Sequence, residues 1–254
     1  MASCVRLLDL DSAVFGIRCG RLELDEQSGE PWRLTEILDT AWRRGMQHLT
    51  ARVPAEWSTV AAALRSQGFR PVQRSWTLEK APLAPEWNDA TVCVYEGGDD
   101  VRLRALTRMS FTERTRFHSE PVFSREGVAT LHERWIQALI DDESVCVFIH
   151  RAGPLITGYV AIQSDRAERS GHIGLIAVDP EHRGKGIGAQ LLRSMQSAMA
   201  PSLDRLSVMT EAENRSALRL YAKCGFVKRQ SWEVWHAVRE RCMSHEPDVE
   251  GVHP

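Results

Sequence analysis

IAVDPEHRGKGIGA, residues 176–189, joins a strand-like segment to the start of a helix-like one. Residues 176–178 are apolar and end a predicted strand, and Gly184, Gly186 and Gly188 precede an apolar pattern with helical spacing. The free N–H groups and positive dipole end of a helix start favour phosphate, and glycine lets the backbone approach closely because it has no Cβ. The segment therefore predicts a phosphate-binding loop between a strand and a helix.

A dinucleotide-binding loop is one interpretation, because Gly184, Gly186 and Ala189 satisfy the pattern G-x-G-x-x-G/A and Glu211 follows at a suitable distance. Two features oppose it. Residues 179–183 separate the strand from the first glycine, and the preceding strands form a predicted hairpin around Ala152-Gly153-Pro154 instead of a βαβ unit. The phosphate loop G-x-x-x-x-G-K-[ST] is not matched either.

A second interpretation rests on Arg183-x-x-Gly186-x-Gly188, which resembles the Q/R-x-x-G-x-G/A signature of the GCN5-related N-acetyltransferases (GNAT). Downstream, Asn214, Tyr221 and Gly225-Phe226 resemble the N-x₆-Y-x₃-G-F segment of the same family. The resemblance implies a GNAT fold, that is, an α/β (α+β) fold with a mixed sheet. It also implies acetyl-CoA as the acyl donor.

The resemblance also implies roles for individual residues. The backbone of Ile176, Ala177 and Val178 would hydrogen-bond the pantetheine arm, and Asn214 would contact the donor near that arm. The pyrophosphate would be bound by the loop residues Arg183, Gly184, Lys185, Gly186, Ile187, Gly188 and Ala189, with Arg183 and Lys185 adding charge. Tyr221 would be the general acid that protonates the departing thiolate. A tyrosine that only packs, and an asparagine that only caps its helix, are the alternatives.

The general base is left open by the sequence. Some relatives that acetylate proteins place a Glu five residues before the Asn, but this chain has Met209 there. Glu211 would project from the same strand face roughly 7 Å further along, and His172 or a water chain are the other candidates. Glu213 fits better as the capping-box partner of Thr210.

Sequence patterns divide the chain into two halves. Residues 81–90, APLAPEWNDA, predict a linker because prolines interrupt both helices and central strands. We expect a truncated GNAT-like domain at 1–80, a complete catalytic domain at 91–241 and a disordered tail at 242–254. The predicted strands are 15–25, 48–53, 72–79, 91–95, 144–151, 155–164, 172–178, 203–209 and 226–238. The predicted helices are 32–44, 55–67, 99–109, 125–140, 186–199 and 213–223.

An internal repeat supports this division. Residues 48–69 align without gaps to residues 205–226, each reading as strand, helix, glycine and a strand that begins with Phe. Where the second copy has Asn214 and Tyr221, the first has Trp57 and Leu64. The first copy is therefore predicted to share the fold without a cofactor site.

Composition excludes several classes of protein. The 254 residues carry 32 Lys+Arg against 34 Asp+Glu, so no strong field predicts binding to nucleic acid or a membrane surface. No CxxC pair is present, so we expect no metal site and interpret the six cysteines as reduced thiols. No signal peptide or membrane span is expected, which favours a cytoplasmic protein, and a homodimer is left open.

The wider resemblance is to the TDP-fucosamine acetyltransferase subgroup of the family. Residues 8–17 (LDLDSAVFGI) resemble its D-S-x-F-F-G opening, and residues 115–118 (TRFH), with Trp135-Ile136, resemble its S-R-F…W-I region. The acceptor implied is the primary amine of a nucleotide-linked amino-deoxy sugar.

The candidate acceptor-binding residues are Phe111, Arg114, Arg116 and Phe117, whose charges and rings suit a diphosphate and a sugar or base. The alternatives are a protein N-terminal or lysine amine, or another small-molecule amine. A module that binds acyl-CoA without catalysis is the alternative from a different class.

Overall fold

A ten-stranded mixed sheet forms the centre of the molecule in the computed structural model, which describes residues 4–81, 89–111 and 115–239. The strands are β1 (Cys4–Leu7), β2 (Cys19–Glu23), β3 (His48–Pro54), β4 (Arg70–Lys80), β5 (Val92–Val94), β6 (Val145–Ala152), β7 (Leu155–Asp165), β8 (Ser170–Val178), β9 (Arg205–Glu211) and β10 (Val227–Val238). The α-helices of the described residues are α1 (Asp9–Phe15), α2 (Pro31–Arg43), α3 (Ser58–Ser66), α4 (Asp100–Ser110), α5 (Arg125–Ile140), α6 (Ile187–Met199) and α7 (Arg215–Lys223). This α/β architecture with a mixed sheet is the predicted one.

The strand order is β1-β2-β3-β10-β4-β9-β8-β7-β6-β5, so the final strand lies inside the N-terminal half. β10 pairs antiparallel with β3 on one side and with β4 on the other. The predicted linker does not separate two sheets, since β4 also pairs with β9. Residues 82–88 of that linker and the predicted tail lie outside the described residues, as does the end of the predicted catalytic domain beyond residue 239.

The aligned segments of the repeat fold alike. β2-α2-β3-α3-β4 and β8-α6-β9-α7-β10 have the same element order, and in each the first two strands pair in parallel. Trp57 and Asn214 both precede the helix, with φ/ψ of −80/63° and −75/75°. Gly68 and Gly225 both follow it, with φ of 81° and 84°. Each copy inserts its last strand between two strands of the other.

Helices cover both faces of the sheet. α1, α4 and α5 cover one face, called here the α5 face, where Leu131, Ile136 and Tyr159 are buried. α2, α3, α6 and α7 cover the opposite face, around Leu64, Leu191 and further apolar residues. Strand alternation defines the two faces, because Val160 and Ile162 pack with α6 whereas Tyr159 and Ala161 pack with α4 and α5. No helix among the described residues is long and apolar enough to cross a bilayer.

The predicted strand at residues 15–25 is wrong in its first part. Asp9–Phe15 form α1, which ends at Gly16 with a φ of 67°, and the strand begins only at Cys19. Phe15 packs against Phe117 and Phe123 at ring-centroid distances of 5.9 and 4.4 Å. These aromatic contacts come from distant parts of the chain, so local alternation could not predict them.

Candidate active site

β8 and β9 separate in the middle of the sheet. Their parallel pairing joins Ser170–Ile173 to residues 205–208 and ends there. Beyond that point β8 continues to pair with β7, whereas residues 209–211 of β9 pair with β4. A wedge therefore opens between residues 174–178 and the end of β9. Backbone polar groups along this wedge need partners, which an extended ligand with amide groups can supply.

The glycine loop lies at the wide end of the wedge. Gly184 and Gly186 have φ values of 78° and 85°, and Gly186 is the N-cap of α6. A Cβ on either glycine would meet no atom within 4 Å. Among the described residues, no acceptor is found for the amides of residues 184–188. The loop is thus an exposed set of N–H donors at a helix start, which fits a pyrophosphate.

Charged side chains hold the loop in place. Asp179 lies at its beginning, accepts a hydrogen bond from the Glu181 N–H at 2.9 Å and forms an ion pair with Arg102. Desolvation raises the pKa of Asp179, but these hydrogen bonds outweigh it and hold the pKa below its usual 3.8. Arg183 donates from Nε to the Val178 carbonyl at 3.2 Å, and Lys185 is exposed. Arg183 and Lys185, the two cations predicted to bind the pyrophosphate, therefore both lie on the exposed loop.

Gly188 has an additional role that the motif did not predict. A Cβ at this position would come within 3.0 Å of Leu220 Cδ2 on α7. The glycine therefore lets α6 and α7 pack closely. That packing positions the helix that carries the predicted general acid.

Tyr221 is buried on α7, with its ring 5.6 Å from that of Phe226 in a T-shaped arrangement. Desolvation, followed by the nearby Cys224, raises the pKa of Tyr221 above its usual 10. No hydrogen bond to its hydroxyl is found among the described residues. The phenol is therefore protonated at neutral pH, as a general acid must be, although the ring also packs in the core.

Asn214 is the N-cap of α7. Its Oδ1 accepts hydrogen bonds from the Ala217 N–H at 3.0 Å and from the Ser216 hydroxyl at 2.9 Å. This is the capping arrangement that the alternative interpretation of Asn214 expected. Because Oδ1 is used locally, a contact of Asn214 with the donor would have to come from Nδ2.

The candidate bases lie on either side of the point where the strands separate. Glu211 ends β9, opposite the buried Ser75 of β4, and lies close enough to Arg116 for its charge to affect the pKa of that residue. His172 lies one residue before the last β8–β9 pair and its Nδ1 is 3.0 Å from the Ser207 hydroxyl. It lines an open cavity of about 430 Å³ with Gln163 and other residues near the β7–β8 turn. Glu211 is therefore the candidate that lines the wedge.

The four residues expected to bind the acceptor differ in how far they are exposed and in what they contact. Arg116 is half-buried on the α5 face with its guanidinium 4.4 Å from the centre of the Phe117 ring. Phe117 is only 2% exposed, so it supports Arg116 and does not offer the free ring face that the sequence analysis expected. Phe111 is partly buried and stacks on His132 at 4.9 Å. Arg114 lies outside the described residues.

Arg21 and Arg52 on the α5 face were missed from the sequence. Arg52 lies on β3 with its guanidinium 5.7 Å from the centre of the Trp232 ring, and it contacts Met209 Sδ beside the wedge. In β3 it is the only exposed residue of HLTARVP. A charged residue in an otherwise buried strand was the available signal. The described residues contain no group of three His, Cys, Asp or Glu that could hold a metal ion.

The family comparison agrees with this geometry. Residues 105–226 match the model of the acetyltransferase (GNAT) family. Over these residues the chain is similar to a GNAT acetyltransferase domain, and enzymes of this class use acetyl-CoA as the acyl donor.

Among curated proteins, the chain is similar to the spore coat polysaccharide biosynthesis protein SpsD of Bacillus subtilis. The two are 26% identical over 191 residues, which cover 73% of this chain and 64% of SpsD. It is also similar to N-alpha-acetyltransferase 30 of Xenopus laevis, with 35% identity over 85 residues that cover 32% of this chain and 31% of that protein. The chain thus spans less than two thirds of the length of either relative.

Solved structures show the same fold. A GCN5-related N-acetyltransferase from Sphaerobacter thermophilus superposes with a TM-score of 0.64 at 16% identity, covering 93% of this chain and 76% of that chain. The similarity extends over both halves of the chain. The GNAT fold expected from the loop motif is therefore confirmed.

Proposed function

We propose that the protein is an acetyl-CoA-dependent N-acetyltransferase for the primary amine of an amino-deoxy sugar carried on a nucleoside diphosphate. The resemblance to the TDP-fucosamine acetyltransferase subgroup motivates the sugar, and the observation that carries it is the extent of the match to SpsD, a polysaccharide biosynthesis protein. That match covers 73% of the chain, whereas the match to N-alpha-acetyltransferase 30 covers 32%. A match to the mycothiol acetyltransferase of Thermobispora bispora covers 79%, so the extent of the matches disfavours a protein acceptor and the sugar itself rests on SpsD and the subgroup resemblance.

In this proposal the chain supplies binding, orientation and proton transfer. Acetyl-CoA supplies the acyl group as a thioester. The loop amides of residues 184–188 and the cations of Arg183 and Lys185 hold the pyrophosphate, and residues 176–178 of β8 bind the pantetheine along the wedge. Asn214 Nδ2 adds a polar contact to the same arm.

Proton transfer is assigned to two groups at the wedge. Glu211 removes a proton from the acceptor amine, and Tyr221 holds on its Oη the proton that the departing sulfur needs. The raised pKa of Tyr221 keeps that proton in place at neutral pH. Burial of the tyrosine ring fixes its position relative to the wedge.

A protein N-terminal amine is the second candidate acceptor, because the identity to N-alpha-acetyltransferase 30 reaches 35% over its shorter match. Met209 stands against it, since some protein-acetylating members of the family place a Glu at that position. A non-catalytic acyl-CoA-binding module would require that Tyr221 serve only packing.

An acceptor screen tests the proposal. Thiol release from acetyl-CoA should be much faster with a TDP-linked 4-amino-4,6-dideoxy sugar than with peptides carrying free N-terminal or lysine amines, or with polyamines. Faster turnover of a peptide would replace the sugar acceptor by a protein acceptor. Acetyl-CoA binding without turnover of any amine would favour the non-catalytic module.

A further inference from the structure

Three arginines occupy the α5 face of the sheet without an ion-pair partner among the described residues. They are Arg21 of β2, Arg52 of β3 and Arg116 next to the Gln73 side chain of β4. Among the described residues no carboxylate lies within ion-pair distance of any of these guanidiniums. Arg52 is exposed, but Arg21 and Arg116 are partly buried, and partly buried arginines normally find a carboxylate or another anion because desolvation of an unpaired charge is costly.

The surroundings hold these cations in place. The Arg116 N–H donates to Gln73 Oε1 at 3.1 Å, and its guanidinium stacks on Phe117 at 4.4 Å and lies 5.8 Å from the centre of the Trp135 ring. Arg52 lies against Trp232, whose Nε1 donates to Thr77 Oγ1 at 2.8 Å. Aromatic faces stabilise a guanidinium without neutralising it. Both side chains are therefore positioned while their N–H donors stay available.

The three charges act on one another. Desolvation, and next the charge of Arg21, lower the pKa of Arg116 to about 10. Desolvation likewise lowers the pKa of Arg52, with Arg21 the next cause. The acidic groups within reach are Asp11, Glu23 and Glu211; Glu23 forms an ion pair with Arg6, and Asp11 is buried with a pKa raised chiefly by desolvation. Each of these acids offsets part of the repulsion between the arginines, but the pKa values of Arg21, Arg52 and Arg116 are lowered all the same.

The cluster also borders the wedge. Arg52 reaches across β10 and β4 to Met209, the β9 residue that follows the last β8–β9 pair. The donor loop lies elsewhere, at the N-terminus of α6, so the arginines are not needed for the pyrophosphate of acetyl-CoA. An anion bound by the cluster would therefore lie beside the reacting amine.

We infer that Arg21, Arg52 and Arg116 form a subsite for the diphosphate of the acceptor, built mainly from the N-terminal half of the chain. This inference rests on the proposed N-acetyltransferase function and identifies what binds the charged part of its acceptor. Guanidinium groups match phosphate oxygens in pairs, and three of them suit a group with two or more negative charges better than a single carboxylate. The first repeat copy, which lacks the donor loop, thereby gains a role in acceptor binding.

Calorimetry with thymidine diphosphate, at saturating free CoA to fill the donor loop, tests the subsite directly. We expect Arg21→Gln and Arg52→Gln each to weaken binding about 10-fold or more, because each removes one charge-assisted contact of about 1.4 kcal/mol or more. Arg52→Lys should recover part of the loss. Arg43→Gln, on α2 across the sheet, is the matched control and should bind like the wild type. CoA affinity should be unchanged in all four variants.

Steady-state kinetics test the diphosphate subsite separately from the proposed amino-sugar acceptor. For the TDP-linked amino sugar the Arg52→Gln variant should raise KM about 10-fold, whereas KM for the free amino sugar should stay constant. If thymidine diphosphate binds in an arginine-dependent manner but no amino sugar is acetylated, the subsite stands and the proposed acceptor fails. Equal affinity of wild type and Arg52→Gln for thymidine diphosphate, or stronger binding of succinate than of inorganic pyrophosphate, would overturn the diphosphate subsite.

Discussion

Tyr221 combines burial with the position expected of a general acid, and replacing it by Phe separates the two roles. Tyr221→Phe retains the ring that packs on Phe226 and removes only the hydroxyl. We expect kcat to fall by about 10²- to 10⁴-fold or somewhat less, with acetyl-CoA affinity and melting temperature nearly unchanged. Steady-state rates and melting curves measure both.

A second buried tyrosine supplies the control for this substitution. Tyr159 is fully buried and its hydroxyl lies 2.6 Å from Thr107 Oγ1. Tyr159→Phe should cost about 1 kcal/mol of stability, because one buried hydrogen bond is lost, and leave kcat nearly intact. Equal kcat values for Tyr221→Phe and Tyr159→Phe would assign Tyr221 a packing role only.

Glu211 and His172 can be distinguished as bases by matched amide substitutions. Glu211→Gln should lower kcat by about 10²-fold or more, because a general base at the wedge is lost, whereas His172→Gln should change it little. Desolvation, followed by Arg52, lowers the pKa of His172 below 6.5. Were His172 the base, activity would fall as pH drops through that lowered pKa, and His172→Gln would abolish this dependence. The kcat–pH profiles of both variants decide the assignment.

For single residues, the sequence could predict a functional role wherever the motif depends on the spacing between positions close together in the chain. The positions of Gly186 and Tyr221 follow from distances of a few residues; in the structure Gly186 is the N-cap of α6, and Tyr221 belongs to the core cluster against which Ile176 and Val178 pack. The cluster of Arg21 and Arg52 could not be found in that way. Its members come together only through pairing of strands that are distant in sequence, and their neighbours along the chain carry no motif.

Among the elements, the glycine loop permits the sharpest test. Gly186→Val would place a branched side chain at a φ of 85° in the space in front of the helix N-terminus. We expect acetyl-CoA binding to be lost, because the side chain would occupy the place of the pyrophosphate, in a protein that still folds. Calorimetry measures the binding and circular dichroism the fold.

A substitution at Gly153 serves as the control that separates blocking of the pyrophosphate site from backbone strain. It lies in the β6–β7 turn with a φ of 60° and open space around it, as at Gly186. Gly153→Val should therefore lose a similar ~1–2 kcal/mol of stability while it keeps acetyl-CoA affinity. Retained acetyl-CoA binding in Gly186→Val would remove the loop from the site.

Helices with clear local signals were predictable as elements. Arg125–Ile140 matches its prediction in both bounds, since Ser124 supplies an N-cap that accepts from the Gly127 N–H. Two helix starts were less accurate, and one of them is that of α7, which begins at Arg215, two residues later than predicted. α3 begins at Ser58, three residues later than predicted, because Ala55 still donates to the Ser231 carbonyl of β10. That long-range hydrogen bond has no local signature.

For the molecule as a whole, the two repeat copies predict unequal binding. In the first copy the loop between β2 and α2 carries Asp25, Glu26 and Glu30, and Glu30 takes the N-cap place that Gly186 has in the second copy. Negative charge and a missing glycine both disfavour a pyrophosphate there. Calorimetric titration should give one acetyl-CoA per chain. A stoichiometry of two would contradict this account of the repeat.

The interlocking of the copies was beyond sequence analysis. The repeat and the strand predictions were available, but they do not show that β10 lies between β3 and β4 rather than at an edge. Pairing partners of strands depend on tertiary packing, and each strand pattern is compatible with several neighbours. The division at residues 81–90 therefore remains a prediction about how the chain is organised, while the sheet is continuous across it.

The insertion of β10 between β3 and β4 leads to a prediction for folding, because this last strand of the C-terminal half contributes to the core of the N-terminal half. Trp235 of β10 is fully buried among Leu34, Leu49 and Leu64. Trp235→Ala should cost about 3–5 kcal/mol, since it leaves a large cavity. Urea unfolding of the variant should show one cooperative transition, in which acetyl-CoA binding and the far-ultraviolet circular dichroism signal are lost at the same urea concentration.

Trp32→Ala is the matched control. It removes a side chain on α2 that is 63% exposed, and it should shift the unfolding midpoint little. Two transitions, with acetyl-CoA binding retained after the first, would show that the halves fold independently and that the shared strand does not couple them.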